Sequence, residues 1–332
     1  MTTGPVWLGE REVSALISLN EAIEAIRDIL HQEARGEASN VDKALATWPF
    51  GSLHALGAVS HNSKLAAFKT WINTSKGASA VISLFDAEFG TLHAMIQAGM
   101  LGALRTSGIC AVATDLLADP SADELALLGT GRQAPLQIAA VGTVRALRRV
   151  RIWSPSIERR TAFAARCRAM FPFEIIECET PEIAVADVPI VSLLTRAKEP
   201  FLSADAFAPG THVNAAGAIL PTHAELHPGA LSQAALVVVD DRVAAARDSR
   251  EFRESEKAGG FGASDAATLA EVLANPPAWN AGRLSIFKPL GMGLSDLAVA
   301  GAVFAKARDR ALGQPLDQQP LTPPRWLLRS TD

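Results

Sequence analysis

The chain has 332 residues, 48% of them hydrophobic, with 31 Lys and Arg against 35 Asp and Glu for a formal net charge of -4. That length and apolar content support two domains with their own cores, and the slight acidity speaks against nucleic acid or an anionic membrane as the main partner. Cys110, Cys167 and Cys178 are too few and too unpaired for a disulfide framework or a zinc site, and the absence of tyrosine removes any Tyr-Lys proton relay.

The N-terminus lacks a basic start followed by an apolar core, and no window approaches 18 uninterrupted apolar residues. The expectation is a soluble cytoplasmic protein. Leu19 to Ala34 has helical periodicity, with Asn20 as N-cap and Ala22, Ile23, Ile26, Ile29 and Leu30 on the buried side. Lys64 to Thr70 and Ser79 to Asp86 read as strands, and Gly99 to Leu117 as a long helix carrying Arg105 and Thr106. Asp119 to Asp123 is a polar linker.

Glu124 to Leu128 then runs as a strand into Gly129-Thr130-Gly131-Arg132-Gln133-Ala134, followed by a helix to Leu147 interrupted only by Gly142. In a Gly-x-Gly-x-x-Ala turn the first glycine permits the bend. The second lets backbone approach a pyrophosphate, and the small third residue lets helix pack on strand. A merely structural glycine turn has the same pattern. A second strand, Arg149 to Trp153, follows at βαβ spacing, with further parallel-type runs at Pro189 to Leu194, His212 to Ala216 and Leu236 to Val239.

At the second strand end, where an acid selects NAD, the chain has Ser154, with Arg159 and Arg160 close behind to pair a 2′-phosphate. NADP is therefore favoured, with NAD as the alternative. Arg148, Arg149, Arg151, Arg159 and Arg160 also fit an ordinary solvated face. Beyond Pro276 and Pro277, Leu284 to Gly293 leads into an apolar helix from Leu294 to about Ala311, then a proline-rich tail from Pro315 to Asp332. Such a late helix should pack back on the first domain. The expected architecture is α/β: a Rossmann-type doubly wound dinucleotide domain, 119–294, inserted into a mixed α+β substrate and dimerisation domain of 1–118 and 295–332.

Several blocks together resemble the ornithine cyclodeaminase and mu-crystallin family. They are Lys69 with Asn73 and Gly77, Leu84 to Gly90, Leu104-Arg-Thr106, Gly129 to Ala134, Val213 to Gly217 with Glu225-Leu226, and Phe287 to Gly291 with Asp296. The resemblance implies a homodimer acting on small amino or imino acids with a nicotinamide cofactor. It assigns Lys69 to the substrate, Arg105 to substrate and cofactor, and Lys43 to the position of a carboxylate-binding arginine. Ser79, Thr106, Thr195, Gly217 and Lys288 are assigned to the cofactor. Lys288, Gly291 and Asp296 belong to a segment that should close over the site, and Asp296 also fits a helix cap.

One departure carries weight. Where cyclodeaminases have an aspartate acting on the substrate amine, this chain has Ile219, and His223 matches the lysine that follows. Isoleucine cannot move a proton, whereas reducing a preformed imine needs only a protonated C=N, a hydride donor and a pocket. The resemblance thus implies an NAD(P)H-dependent reductase of small imino acids, or an amino-acid dehydrogenase in reverse, with His223 as a candidate proton donor. A cyclodeaminase with another base and a non-catalytic NADP-binding protein are the alternatives.

Overall fold

The structure is a computed structural model and describes residues 4–276 and 282–319. Pro277 and the tail prolines Pro320, Pro323 and Pro324 fall outside those residues.

The chain opens with β1 (Val6–Leu8), α1 (Glu10–Leu16) and α2 (Leu19–Ala34). α2 is capped by Ser18, not Asn20: the Ser18 hydroxyl accepts from Glu21 N at 3.3 Å, and Glu21 accepts the Ser18 N–H at 2.9 Å. The reciprocal pair satisfies two donors, which a cap at Asn20, already inside the helix, does not do. A meander follows: β2 (Ala38–Trp48), β3 (Gly51–Ser60), β4 (Leu65–Thr74), β5 (Gly77–Asp86) and β6 (Leu92–Gln97), then α3 (Gly99–Leu117). With β1 parallel to β6 and the late β15 (Gln314–Pro315) on the edge, these form a sheet ordered β15-β1-β6-β5-β4-β3-β2.

The second sheet is parallel throughout. It contains β7 (Glu124–Leu128), β8 (Arg149–Trp153), β9 (Glu174–Glu177), β10 (Ile190–Leu193), β11 (His212–Ala215), β12 (Leu236–Val239), β13 (Ala267–Thr268) and β14 (Ser285–Lys288), in the order β13-β12-β14-β11-β10-β7-β8-β9. Helices α4 (Ala134–Val144), α5 (Ile157–Met170), α6 (Pro181–Val185), α7 (Gly229–Gln233), α8 (Arg242–Asp248), α9 (Arg250–Lys257) and α10 (Leu269–Ala274) connect the strands. Strand order reverses between β7 and β10, the switch point at which a doubly wound sheet opens a crevice beyond its carboxyl ends. α4 stops at Val144 rather than Leu147 because Arg145 is extended. Its guanidinium bonds the carbonyls of Thr114, Asp115, Ala118 and Asp119 at the end of α3.

α11 (Gly293–Asp309) returns to the first sheet and packs on β3, β4, α2 and α3. α3 is long and apolar enough to cross a membrane, yet 67% of its apolar window is buried among α2, α4 and α11, so it is a core helix.

Candidate active site

Alternation along β4 puts Lys69 and Trp71 on one face, and the antiparallel register adds Leu56 and His54 opposite them on β3. α11 lies on this face. Its start touches β3 so closely that a Cβ on Gly293 would sit 2.0 Å from the Gly57 carbonyl oxygen. That contact brings Asp296, in the first turn of α11, over Lys69, in the middle of β4. Lys69 Nζ lies 3.0 Å from Asp296 Oδ1, and Arg105 Nε of α3 is 3.4 Å from the same oxygen without hydrogen-bond alignment.

Asp296 is buried and its Oδ2 has no partner among the described residues. Burial pushes the Lys69 ammonium below the usual lysine range, Arg105 adds to that effect, and Asp296 opposes it. Arg105 also reaches the loop after β14: a Cβ on Gly291 would lie 3.4 Å from its Nη1. Next to this group, the His54 ring stacks on Trp71 with centroids 4.5 Å apart, and Lys69 Nζ stands 5.2 Å from the Trp71 ring. Burial and then the Lys43 charge push His54 down to about 4, so it is neutral near pH 7.

Lys43 is buried on β2 and already paired: its Nζ is 3.1 Å from Asp248 Oδ2 at the end of α8, and Asp248 also pairs with Arg247. The expected carboxylate cation therefore bridges the first sheet to α8.

The glycine turn fits a pyrophosphate. Gly129 has φ +113° and a Cβ there would lie 2.8 Å from the Leu194 oxygen, so only glycine makes the bend. Among the described residues nothing lies within 4 Å of a Cβ placed on Gly131, and α4 begins at buried Ala134 with no side-chain cap. Gln133 leaves its buried Oε1 without a partner among the described residues, while Thr130 is half-buried and Arg132 is exposed. An open glycine before an uncapped helix start is where backbone N–H groups hold an anion.

At the β8 end, Ser154 is buried and its carbonyl accepts Arg160 Nη1 at 3.2 Å. Among the described residues, buried Arg160 has its Nε unpartnered, whereas Arg159, in the first turn of α5, is exposed and makes no ion pair. Arg148, Arg149 and Arg151 pair with Asp123, Glu124 and Glu174, the solvated-face alternative.

Beyond β10 and β11, Thr195 and Gly217 come together on the buried carboxylate of Glu225. Thr106 spends its hydroxyl on its own helix, donating to Gly102 O at 2.8 Å. Two expected cofactor contacts are placed elsewhere. Ser79 lies opposite Ile72 and is exposed, so it stands on the face of the sheet away from Lys69. Lys288 is 1% exposed with Nζ 3.1 Å from Glu251, so its charge is spent inside the protein.

Ile219 is 39% exposed. His223 is half-buried, its Nδ1 3.0 Å from the Thr222 hydroxyl, and burial followed by Lys198 and Arg196 pushes its pKa down. Asp248, His54, Trp71 and Glu251 were not foreseen as neighbours of the site. Trp71 alone had a local signal, since it is two residues from Lys69 on a strand.

The model of the ornithine cyclodeaminase/mu-crystallin family matches residues 5–311. The ketimine reductase mu-crystallin of Mus musculus is 32% identical over 225 residues, 68% of this chain and 68% of that protein. The delta(1)-pyrroline-2-carboxylate reductase of Bacillus cereus is 28% identical over 245 residues, 73% of this chain and 75% of that one. Among solved structures, an archaeal alanine dehydrogenase dimer with bound NAD superposes with a TM-score of 0.88 at 26% identity, covering 95% of this chain and 99% of its own.

Proposed function

The chain belongs to the ornithine cyclodeaminase/mu-crystallin family, and from that premise we propose that it is an NAD(P)H-dependent reductase of small imino acids, cyclic ketimines first among them. The observation that carries this reading is the meeting of Lys69 and Arg105 at Asp296, beside the loop that leaves the dinucleotide sheet at Gly291.

Two cations against one carboxylate leave a net positive site for an α-carboxylate. Lys69, its pKa held down by burial, is placed to give a proton to the substrate nitrogen. A reduced nicotinamide, when bound, supplies hydride to the α-carbon, so the C=N bond gains hydride at carbon and a proton at nitrogen. Ile219, at the position of the cyclodeaminase aspartate, offers no carboxylate for ammonia release. The relatives named for ketimine and pyrroline-2-carboxylate reduction support the same chemistry.

NADP over NAD is the finer reading, supported by Ser154 and exposed Arg159. A homodimer is supported by the outer face of the first sheet, where Leu53 and Ile72 are register partners and Phe68 lies on the same face, all three exposed. Three free cysteines fit a reducing cytoplasm.

The test is loss of NADPH and NADH absorbance with Δ1-pyrroline-2-carboxylate, other cyclic imino acids, and 2-oxo acids with amines. Oxidation of cofactor supports the reading. Binding without oxidation points to a binding protein, and ammonia release from ornithine without net cofactor change points to a cyclodeaminase.

A further inference from the structure

The loops after β10 and β11 border the crevice of the doubly wound sheet, and one side chain holds both. Glu225 Oε1 accepts the Thr195 N–H at 2.6 Å and the Thr195 hydroxyl at 2.7 Å, while Oε2 accepts the N–H groups of Gly217 and Ala218, each at 3.0 Å. The Thr195 hydroxyl in turn accepts from Ala197 N at 3.2 Å. Behind the clamp, the Glu225 N–H donates to Glu251 Oε1 at 3.1 Å, and Glu251 pairs with Lys288 at the end of β14. The ends of three neighbouring strands are thereby tied to one buried network.

There is no slack between the loops. A Cβ on Gly217 would meet the Thr195 oxygen at 2.3 Å and Glu225 Oε1 at 2.4 Å. Burying a charged network is unfavourable compared with well-packed apolar residues of the same volume, so packing alone does not call for a carboxylate at this point. What the carboxylate adds is a separation between two loops fixed to hydrogen-bond tolerance.

We propose that Glu225 is a positioning residue for the nicotinamide end of the cofactor, holding the Thr195 and Gly217–Ala218 loops at the separation that presents the cofactor to the Lys69–Arg105 site. This rests on the reductase reading above. In the full-length protein, Glu225→Gln turns an amide NH2 toward donors that need an acceptor and breaks half of the clamp. Thr195→Val removes one bond, and Thr195→Ser keeps it.

The measurements are the dissociation constants of NADPH and NADH by nicotinamide fluorescence, the melting temperature without cofactor, and single-turnover hydride transfer to Δ1-pyrroline-2-carboxylate. Glu225→Gln is expected to weaken the preferred cofactor by about tenfold and slow hydride transfer by about 100-fold, the scale of a misplacement near 1 Å, with the imine KM within about twofold. Thr195→Val should show a smaller loss of both, and Thr195→Ser should retain more of each than Thr195→Val does.

Wild-type affinity and rate per folded Glu225→Gln molecule would overturn the proposal. So would losses that follow melting temperature alone, or equal losses in the two Thr195 variants, which decide the matter if Glu225→Gln does not fold. Failure of every imine as substrate counts against the reductase reading only, because cofactor affinity judges Glu225 by itself.

Discussion

Lys69 Nζ stands 3.0 Å from Asp296 Oδ1, linking the middle of β4 to the first turn of α11 across 227 positions of sequence. The pair decides the charge state of the site. Burial lowers the Lys69 pKa and Asp296 raises it, so removing the Asp296 charge lowers Lys69 further. A protonated Lys69 is needed for carboxylate binding and proton delivery. The basic limb of kcat/KM for the imine should therefore move to lower pH in Asp296→Asn, with a loss of about tenfold or more on the alkaline side, the scale of a lost charge partner. An unmoved limb would remove Lys69 from proton delivery.

The Gly129 turn should not tolerate a side chain. Gly129→Ala combines a positive φ with a 2.8 Å approach to the Leu194 oxygen, and strain of this kind is worth about 1 to 3 kcal/mol. The variant should melt lower and lose measurable binding of both dinucleotides. Gly131→Ala, with open space at its Cβ, should keep the melting temperature and lose affinity alone; thermal melts with and without NADPH separate the two.

The two arginines after Ser154 should behave differently. Arg159→Ala should weaken NADPH about tenfold or more and leave NADH nearly unchanged, as removal of a phosphate partner does. Arg160, buried against the Ser154 carbonyl, should also lower stability when truncated, by about 1 to 3 kcal/mol. Calorimetric titration with both cofactors checks this, and equal effects of Arg159→Ala on the two would remove the 2′-phosphate argument.

The Lys43–Asp248 pair joins the first sheet to α8. With both side chains 4% exposed, Asp248→Asn leaves a buried ammonium poorly compensated and should lower unfolding stability by about 3 to 5 kcal/mol. The double replacement Lys43→Met with Asp248→Leu should recover most of that loss in urea unfolding. Recovery of stability without recovery of imine KM would place Lys43 in substrate binding as well as in the bridge.

Much of the fold was legible because its signals are local. The glycine turn, the apolar parallel strands and the periodicity of α2 and α3 need only neighbouring residues to be read. β2 and β3 lack a clean strand signal for a physical reason: β2 is largely exposed, so its apolar residues mark no buried face, and Gly57 interrupts β3.

The same gap governs the site. Lys69 and Arg105 stand in recognisable blocks, but Asp248 meets Lys43 only through folding. The side of the sheet occupied by Ser79 depends on the register that sets it opposite Ile72. Lys288 lies in a matching block too, yet its side chain turns inward to Glu251. Block resemblance locates backbone and is silent on where a long side chain finds its countercharge.

Hydride delivery to the α-carbon of an imino acid at the Lys69–Arg105 site can be followed atom by atom. Its most direct test uses nicotinamide cofactor deuterated at the transferring C4 position, Δ1-pyrroline-2-carboxylate as substrate, and mass spectrometry of the product. The expected product is proline carrying one deuterium at the α-carbon, formed by wild type and at least about 100-fold more slowly by Lys69→Met, the scale of losing a positioned proton donor. Cofactor bound tightly with no deuterium in any product across the imino-acid panel would contradict it.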